Sequence, residues 1–112
     1  MKKIILAIIL TGSISLSFAE ELSCQLTDGK TVVLRLNDQT VKYAYGLPDD
    51  WELVFSMSKN KIKFYRQNSD NSMILSLPYG NAYYEFGGDG EHQFLQVRNS
   101  KGKITFKEYC LD

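Results

Sequence analysis

Residues 82–98, AYYEFGGDGEHQFLQVR, contain two stretches in which apolar and polar residues alternate, on either side of the glycine-rich run GGDGE. Alternation with a period of two is typical of a β-strand that buries one face, and a glycine-rich run between two such stretches predicts a turn. The segment is therefore predicted to form an antiparallel β-hairpin.

The same alternation recurs along the chain, interrupted at short intervals by Gly, Pro, Asn and Asp, which favour turns. The stretches predicted as strands are SCQL, TVVLRL, TVKYAY, WELVFSM, KIKFYRQ, SMILSL, AYYEF, HQFLQVR and KITFKEYC. No long window after Ala19 keeps the apolar stripe of a helix. The sequence predicts an all-β fold: one antiparallel meander of about eight strands, forming a small barrel or a two-sheet sandwich.

Hairpin registers can be predicted, because a correct pairing puts the apolar residues of both strands on one face. A two-residue turn at residues 59–60 and a turn at residues 99–102 each meet this condition. The predicted cross-strand pairs are Phe55 with Phe64, Met57 with Ile62, Leu95 with Phe106 and Val97 with Ile104.

For the opening segment, a four-residue loop at residues 87–90 would direct Ala82, Tyr84 and Phe86 inward. The outward pairs would then be Glu85 with His92 and Tyr83 with Phe94. These four side chains are predicted to form one exposed group of opposite charges and paired rings.

The N-terminus has the pattern of a Sec-type signal peptide: a basic MKK, a short apolar run IILAIIL and a small-residue ending SFA. Residues 1–19 are therefore predicted to be the signal peptide and residues 20–112 a single β domain. In an exported protein an even pair of cysteines indicates a disulfide, so Cys24 and Cys110 are predicted to be bonded. The expected location is the periplasm or the outside of the cell.

Without Lys2 and Lys3 the mature chain has 11 basic and 13 acidic groups, which is a net charge near −2. This balance argues against a nucleic-acid partner. No membrane association is expected once the signal peptide is removed, and no cofactor or structural metal is indicated.

Three kinds of functional site are considered for the 82–98 hairpin and the residues beside it. Glu85 and His92 would form an acid/base couple, although no nucleophile motif accompanies them. Asp89 and Glu91 would offer calcium ligands, but the D-x-D-x-D-G spacing is absent. The chain is also rich in aromatic residues, and exposed rings would suit a protein- or sugar-binding patch. The residues predicted to bind are Tyr79, Gly80, Tyr83, Glu85, His92 and Phe94; no catalytic residue is predicted.

The segments CQLTDGKTVVL, YAYGLPDDWEL, YGNAYYEF and KGKITFKEYC resemble those of a group of small, largely uncharacterised exported bacterial β proteins. More distantly, YGNAY is similar to the Ser-Gly-x-x-Tyr motif of periplasmic inhibitors of C-type lysozyme, with Gly80 and Tyr83 retained. Tyr79 stands at the serine position, and no Trp-x-Lys-Gly segment follows. The resemblance implies a related disulfide-closed barrel and does not carry over the inhibitory residues.

These observations predict a small exported binding protein rather than an enzyme. The specific expectation is an inhibitor or immunity-type protein whose partner is another envelope or secreted protein. The alternative is a domain that binds a carbohydrate, such as a peptidoglycan fragment, or another small ligand.

Overall fold

The computed structural model describes residues 20–111, which form nine antiparallel β-strands. The strands are β1 (Glu20–Gln25), β2 (Thr31–Leu36), β3 (Thr40–Leu47), β4 (Asp50–Ser58), β5 (Lys63–Gln67), β6 (Ser72–Tyr79), β7 (Ala82–Gly88), β8 (Gln93–Asn99) and β9 (Ile104–Tyr109). The predicted all-β meander is confirmed, with nine strands instead of about eight. The predicted signal peptide, residues 1–19, lies outside the described residues.

The strands divide into two sheets. Sheet 1 contains β1 to β4 and sheet 2 contains β5 to β9, each in chain order, so consecutive strands within a sheet are joined as hairpins. A barrel requires one sheet that closes on itself. Among residues 20–111 no ladder closes either sheet, so the barrel alternative is wrong and the two-sheet alternative is retained.

The predicted disulfide is confirmed. Cys24 and Cys110 are both disulfide-bonded, and since the chain has two cysteines they are bonded to each other. The bond closes a separation of 86 residues (110 minus 24), which stabilises the fold by about 4–5 kcal/mol in the chain-entropy model. A structural disulfide of this kind indicates an oxidising compartment.

Sheet 1 follows the simple pattern of one buried and one exposed face. Val32 and Leu34 on β2, and Val41 and Tyr43 on β3, are almost completely buried, while the residues between them are more exposed. Tyr43 stacks on its cross-strand partner Phe55, with ring centroids 4.7 Å apart and an interplanar angle of 16°. These buried side chains form the apolar face of sheet 1.

Sheet 2 buries residues on both of its faces. Glu85, Phe86 and Gly87 are consecutive on β7 and all buried, although neighbouring residues of a strand point to opposite sides. The apolar face of sheet 2 includes Leu75, Leu77, Phe86 and Leu95. The mixed face of sheet 2 includes Ile74, Ser76, Glu85, Phe94 and Gln96.

The hairpin predicted at residues 59–60 does not form. Residues Lys59–Lys61 make a 3-10 turn, and β4 and β5 belong to different sheets. Two-residue hairpin turns require a positive φ at one or both central residues, and neither Lys59 nor Asn60 has one. The predicted pairing of Phe55 with Phe64 is therefore wrong, and Phe64 is 67% exposed.

The 82–98 hairpin forms, but its loop is Asp89–His92 rather than 87–90. Gly87 belongs to β7 rather than to the loop. The residue is a glycine at this position because a side chain would collide with its neighbours. A Cβ atom on Gly87 would lie 2.6 Å from Ile74 Cδ1 and 2.8 Å from the Phe94 ring. The glycine that indicated a turn is thus required for close packing within the sheet.

The turn predicted near residues 99–102 also forms, with a different register. The amide of Asn99 donates to the carbonyl of Lys103 at 2.8 Å. A bulge follows, so that Val97 pairs with Phe106 and Arg98 with Ile104. The predicted pairs of this hairpin, Leu95 with Phe106 and Val97 with Ile104, are wrong because the tight turn and the bulge shift β9 by two residues.

Candidate functional site

The six residues predicted to bind do not form one site. Tyr79 and Gly80 lie at the β6–β7 turn and His92 lies in the β7–β8 loop, at opposite ends of β7. Seven residues of strand separate these ends by roughly 20 Å. Tyr79 and Tyr83 are 44% and 37% exposed. They point to opposite faces of sheet 2, because Tyr79 pairs with Ala82 while Tyr83 pairs with Pro78.

The predicted exposure of Glu85 and Phe94 is wrong. Glu85 has no exposed surface and Phe94 is 2% exposed. Glu85 pairs with Gln96 instead of His92, since the loop is two residues later than predicted. The side chain of Lys107 covers the Phe94 ring, with Nζ 4.2 Å from its centroid.

Glu85 is the centre of a hydrogen-bonded network on the mixed face of sheet 2. Its Oε1 accepts from Tyr65 Oη at 2.9 Å, from Gln96 Nε2 at 2.7 Å and from Arg98 Nε at 3.2 Å. Its Oε2 accepts from Ser76 Oγ at 2.7 Å and from Arg98 Nη2 at 2.5 Å. Each donor comes from a strand neighbouring or near β7, so the sheet register assembles the network.

The network keeps Glu85 ionised. Burial alone would raise the pKa of the Glu85 carboxyl, but hydrogen bonds from Arg98, Gln96, Ser76 and Tyr65 outweigh burial and lower that pKa. Burial and the hydrogen bond to Glu85 raise the pKa of Tyr65 to about 12. A carboxylate with five donors has no position left for a substrate, so the network has the character of a structural anchor rather than an acid/base site.

Arg98 connects this network to solvent. Its guanidinium lies between two rings, 4.9 Å from the Tyr83 centroid and 5.6 Å from the Tyr65 centroid. Its side chain is 25% exposed. An open depression of about 510 Å³ beside it is lined by Tyr65, Arg66, Gln67, Asn68 and Arg98. Tyr83 thus contacts the arginine through its ring, while 37% of the tyrosine stays exposed.

The charged groups of the Asp89–His92 loop serve the turn itself. Asp89 Oδ1 accepts the amides of Glu91 at 2.9 Å and His92 at 2.7 Å. These backbone hydrogen bonds lower the pKa of the Asp89 carboxyl. His92 Nδ1 is 3.8 Å from Asp89 Oδ2, and the histidine side chain is 65% exposed. The Asp89 carboxylate, which a calcium site would need as a ligand, is therefore already engaged in hydrogen bonds within the loop.

A different surface emerges on the exposed face of sheet 1. A shallow groove of about 270 Å³ runs across all four strands. We call it the Trp51 face: it is lined by Val33, Ala44, Trp51 and Val54, with Glu21, Arg35 and Lys42 around them. Trp51 is 37% exposed and Val54 is 45% exposed. Neither residue is needed to complete the buried face of this sheet.

A β-bulge directs Trp51 to this face. Tyr45 pairs with Leu53 and the next residue, Gly46, pairs with Trp51, so Glu52 is an extra residue on β4. Without that extra residue, Trp51 would share the buried side of the sheet with Leu53. Gly46 permits the bulge: it has a φ of 140°, and a Cβ atom there would lie 2.6 Å from the backbone nitrogen of Glu52.

Charged side chains surround the apolar centre of the Trp51 face. Arg35 Nη2 contacts Glu21 Oε2 at 3.1 Å, and both side chains are about half exposed. Lys42 is exposed on β3. The groove thus combines an aromatic ring and small apolar groups with charges of both signs.

Sequence reasoning did not predict this surface. Trp51 precedes Leu53 and Phe55 at a spacing of two, which indicates a buried position for all three residues. The available signal was Gly46, a glycine inside a strand, since such a residue often marks a bulge.

Comparison of the chain with protein-family models, with curated proteins and with solved structures finds no match. Of the features that the resemblances imply, the structure shows the small all-β architecture with one disulfide. Residues 20–111 contain no helix of the length and hydrophobicity that crossing a membrane requires.

Proposed function

We propose that this chain is a small exported binding protein that captures another envelope or secreted protein through the Trp51 face. An inhibitor or immunity-type role is the specific form that we propose. The observation that carries the proposal is the exposed tryptophan, which a bulge in β4 turns away from the core. The chain's N-terminal signal pattern and its disulfide support a periplasmic or secreted location.

The composition of the Trp51 face suits a protein interface. Interface centres are apolar and rich in aromatic residues and arginine, while their rims are polar and charged. Trp51 and Val54 supply the centre, and Arg35 and Lys42 supply the rim. A tryptophan fixed on a rigid sheet loses little conformational entropy on binding, which favours its use as an anchor.

The arrangement favours binding over catalysis. Glu85, the carboxylate that would act as an acid or base, is enclosed by five donors and has no exposed surface. His92 lies in the loop beyond the end of β7 and does not pair with Glu85. We therefore propose no catalytic residue.

The test compares two exposed aromatic residues. Mature protein (residues 20–112) is immobilised, and partners captured from an envelope extract are identified by mass spectrometry and then produced in pure form. Affinity for the pure partner is measured for wild type, Trp51→Ala and Tyr79→Ala. Tyr79 is a matched control because it is exposed to a similar degree but lies on sheet 2.

We expect Trp51→Ala to weaken binding by about thirtyfold or more, which corresponds to an interface hot spot of about 2 kcal/mol. Tyr79→Ala should bind as wild type does. If the two variants exchange these results, the partner uses the β6–β7 turn that the sequence indicated. If both bind normally, the Trp51 face is not the binding surface.

A carbohydrate ligand is the second candidate, because a sugar ring would stack on the exposed indole while Glu21, Arg35 and Lys42 meet its polar groups. Trp51 is the only tryptophan of the chain, so intrinsic tryptophan fluorescence reports on this face alone. A saturable change on titration with muropeptides would favour a sugar ligand. An unchanged spectrum at millimolar muropeptide would argue against it.

A further inference from the structure

The open depression beside Arg98 is lined by two arginines. Its lining residues are Tyr65, Arg66, Gln67, Asn68 and Arg98, and its volume is about 510 Å³. These residues come from β5, the turn after β5 and β8, so the depression is built within sheet 2. Guanidinium groups bind carboxylates and phosphates through planar, paired N–H donors. Whether the depression can bind an anion depends on how much of its positive charge and how many of its donors are already used.

Arg98 is held in place by contacts within the sheet. Its Nε and Nη2 donate to Glu85 at 3.2 and 2.5 Å, and Glu85 has no exposed surface. The guanidinium also lies 4.9 Å from the Tyr83 ring centroid and 5.6 Å from that of Tyr65. Glu85 does not use Nη1 of Arg98, and the arginine side chain is 25% exposed. Because Arg98 is already ordered, a ligand that binds to Nη1 would lose little affinity to side-chain ordering.

Arg66 supplies the positive charge that is not neutralised. Its Nη1 donates to the carbonyl oxygen and to the side-chain oxygen of Asn71 at 3.4 and 3.2 Å, and both acceptors are neutral. Among residues 20–111, no carboxylate forms an ion pair with Arg66. Asn71 does not use Nε and Nη2 of Arg66. Two arginines therefore line the depression against one carboxylate, that of Glu85, which leaves one positive charge in excess.

Asp70, a carboxylate that contacts the lining residue Gln67, has a cation of its own. Gln67 Nε2 donates to Asp70 Oδ1 at 3.2 Å, and Lys107 Nζ lies 3.6 Å from Asp70 Oδ2. The other end of the Gln67 amide, Oε1, accepts from Gln96 Nε2 at 3.0 Å. Because Asp70 and Lys107 balance each other, the excess charge of the depression remains with Arg66.

We infer that the depression binds a ligand through an oxyanion group, a carboxylate or a phosphate, placed between Arg66 and Arg98. The guanidinium edges that Asn71 and Glu85 do not use supply the donors, and the excess positive charge favours an anion over a neutral group. An oxyanion group is much smaller than the depression, which leaves space beside Tyr65 for the rest of the ligand. The inference goes beyond the proposed function, because this site belongs to sheet 2 and the Trp51 face belongs to sheet 1.

Nuclear magnetic resonance of the arginine side chains tests the inference. The mature, disulfide-bonded chain is titrated with sodium phosphate and, separately, with sodium acetate, and sodium chloride keeps the ionic strength constant because salt screens exposed charges. We expect the Nε–H resonances of Arg66 and Arg98 to shift saturably, with half-saturation at roughly millimolar concentrations. The anion that saturates at the lower concentration identifies the oxyanion class of the ligand. No saturation with either anion up to about 100 mM overturns the inference.

Arg66→Gln should weaken binding of the preferred anion by about tenfold or more, because it removes the excess charge and leaves the Arg98–Glu85 pair in place. Lys101→Gln is the matched control: it removes one positive charge at an exposed position in the turn between β8 and β9, and should bind as wild type does. If Arg66→Gln fails to fold, Arg66→Lys keeps the charge but loses the planar fork, and should also bind more weakly than wild type. A folded Arg66 variant that binds normally overturns the inference, and so does an equal loss in Lys101→Gln. None of these results bears on the Trp51 face, so the proposed function stands or falls separately.

Discussion

Sheet 1 and sheet 2 are both antiparallel meanders, yet they use their faces differently. Sheet 1 buries one face and leaves the other, with Trp51 and Val54, to solvent. Sheet 2 buries residues on both faces, and on one of them it encloses a carboxylate, Glu85, with its donors. The exposed face of sheet 1 is the surface that we propose for binding, while the buried carboxylate of sheet 2 is enclosed by its own donors. The following substitutions test this difference.

Truncating matched aromatic residues of the two sheets should give the largest contrast. Phe94→Ala removes a ring that is 2% exposed on sheet 2 and should lower the free energy of unfolding by about 4 kcal/mol. Trp51→Ala removes a ring that is 37% exposed on sheet 1 and should cost less than about 1 kcal/mol. Urea denaturation followed by circular dichroism measures both values. Equal losses would show that Trp51 belongs to the core.

Removing one partner from two Glu–Arg pairs should give the next largest contrast. Glu85→Ala leaves Arg98 and three neutral donors without their acceptor, and should destabilise the protein by about 3 kcal/mol. Glu21→Ala breaks the exposed pair with Arg35, and should change stability by less than about 0.5 kcal/mol. The same urea titration provides the comparison. A small effect of Glu85→Ala would mean that water replaces the carboxylate at little cost.

Acid should remove part of the Glu85 contribution. The folded-state pKa of Glu85 lies below its ordinary value of 4.5, so the unfolded chain binds the proton first as the pH falls. Stability from this group is present above that ordinary value and is lost as the pH falls through the folded-state pKa. Glu85→Gln should therefore lose less of its own free energy of unfolding than wild type between about pH 6 and about pH 3. Equal slopes for wild type and Glu85→Gln would exclude Glu85 as a source of acid sensitivity.

Adding a methyl group at two neighbouring glycines should have the smallest effect and tests how tightly sheet 2 packs. Gly87→Ala places a Cβ atom against Ile74 and Phe94 and should cost about 1–2 kcal/mol from overpacking. Gly88→Ala would place its Cβ atom 3.1 Å from Gln93 Cγ and 3.3 Å from the carbonyl oxygen of His92; these contacts are longer than those at Gly87, so its cost should be lower. Thermal unfolding of both variants checks the order. A stabilising Gly87→Ala would show that Ile74 and Phe94 have room to move.

Much of the fold was predictable because its signals are local. Alternating apolar residues predicted strands that correspond to all nine observed ones, and the cysteine pair predicted the disulfide. Registers were less predictable, since each depends on turn geometry. The turn at Lys59 and Asn60 failed because neither residue has the positive φ that a tight hairpin needs.

The site was harder to predict than the fold. Glu85 and Phe94 alternate with apolar residues in a way that indicates an exposed face, yet both are buried. Their burial comes from long side chains of other strands, such as Arg98 and Lys107, which fold over them. Trp51 has the spacing of a core residue and is exposed because of one extra residue in its strand.

By itself, the sequence determined which residues form strands, because alternation and turn preferences act between residues close in the chain. It also determined that the two cysteines pair, because an exported chain with two cysteines has one disulfide to form. Only the tertiary structure decided which strands share a sheet, where each hairpin is in register and which face of a strand meets water. Those choices depend on packing between residues far apart in the chain. Gly46 and Gly87 illustrate this dependence on distant residues. At each position a side chain would collide with atoms of a neighbouring strand.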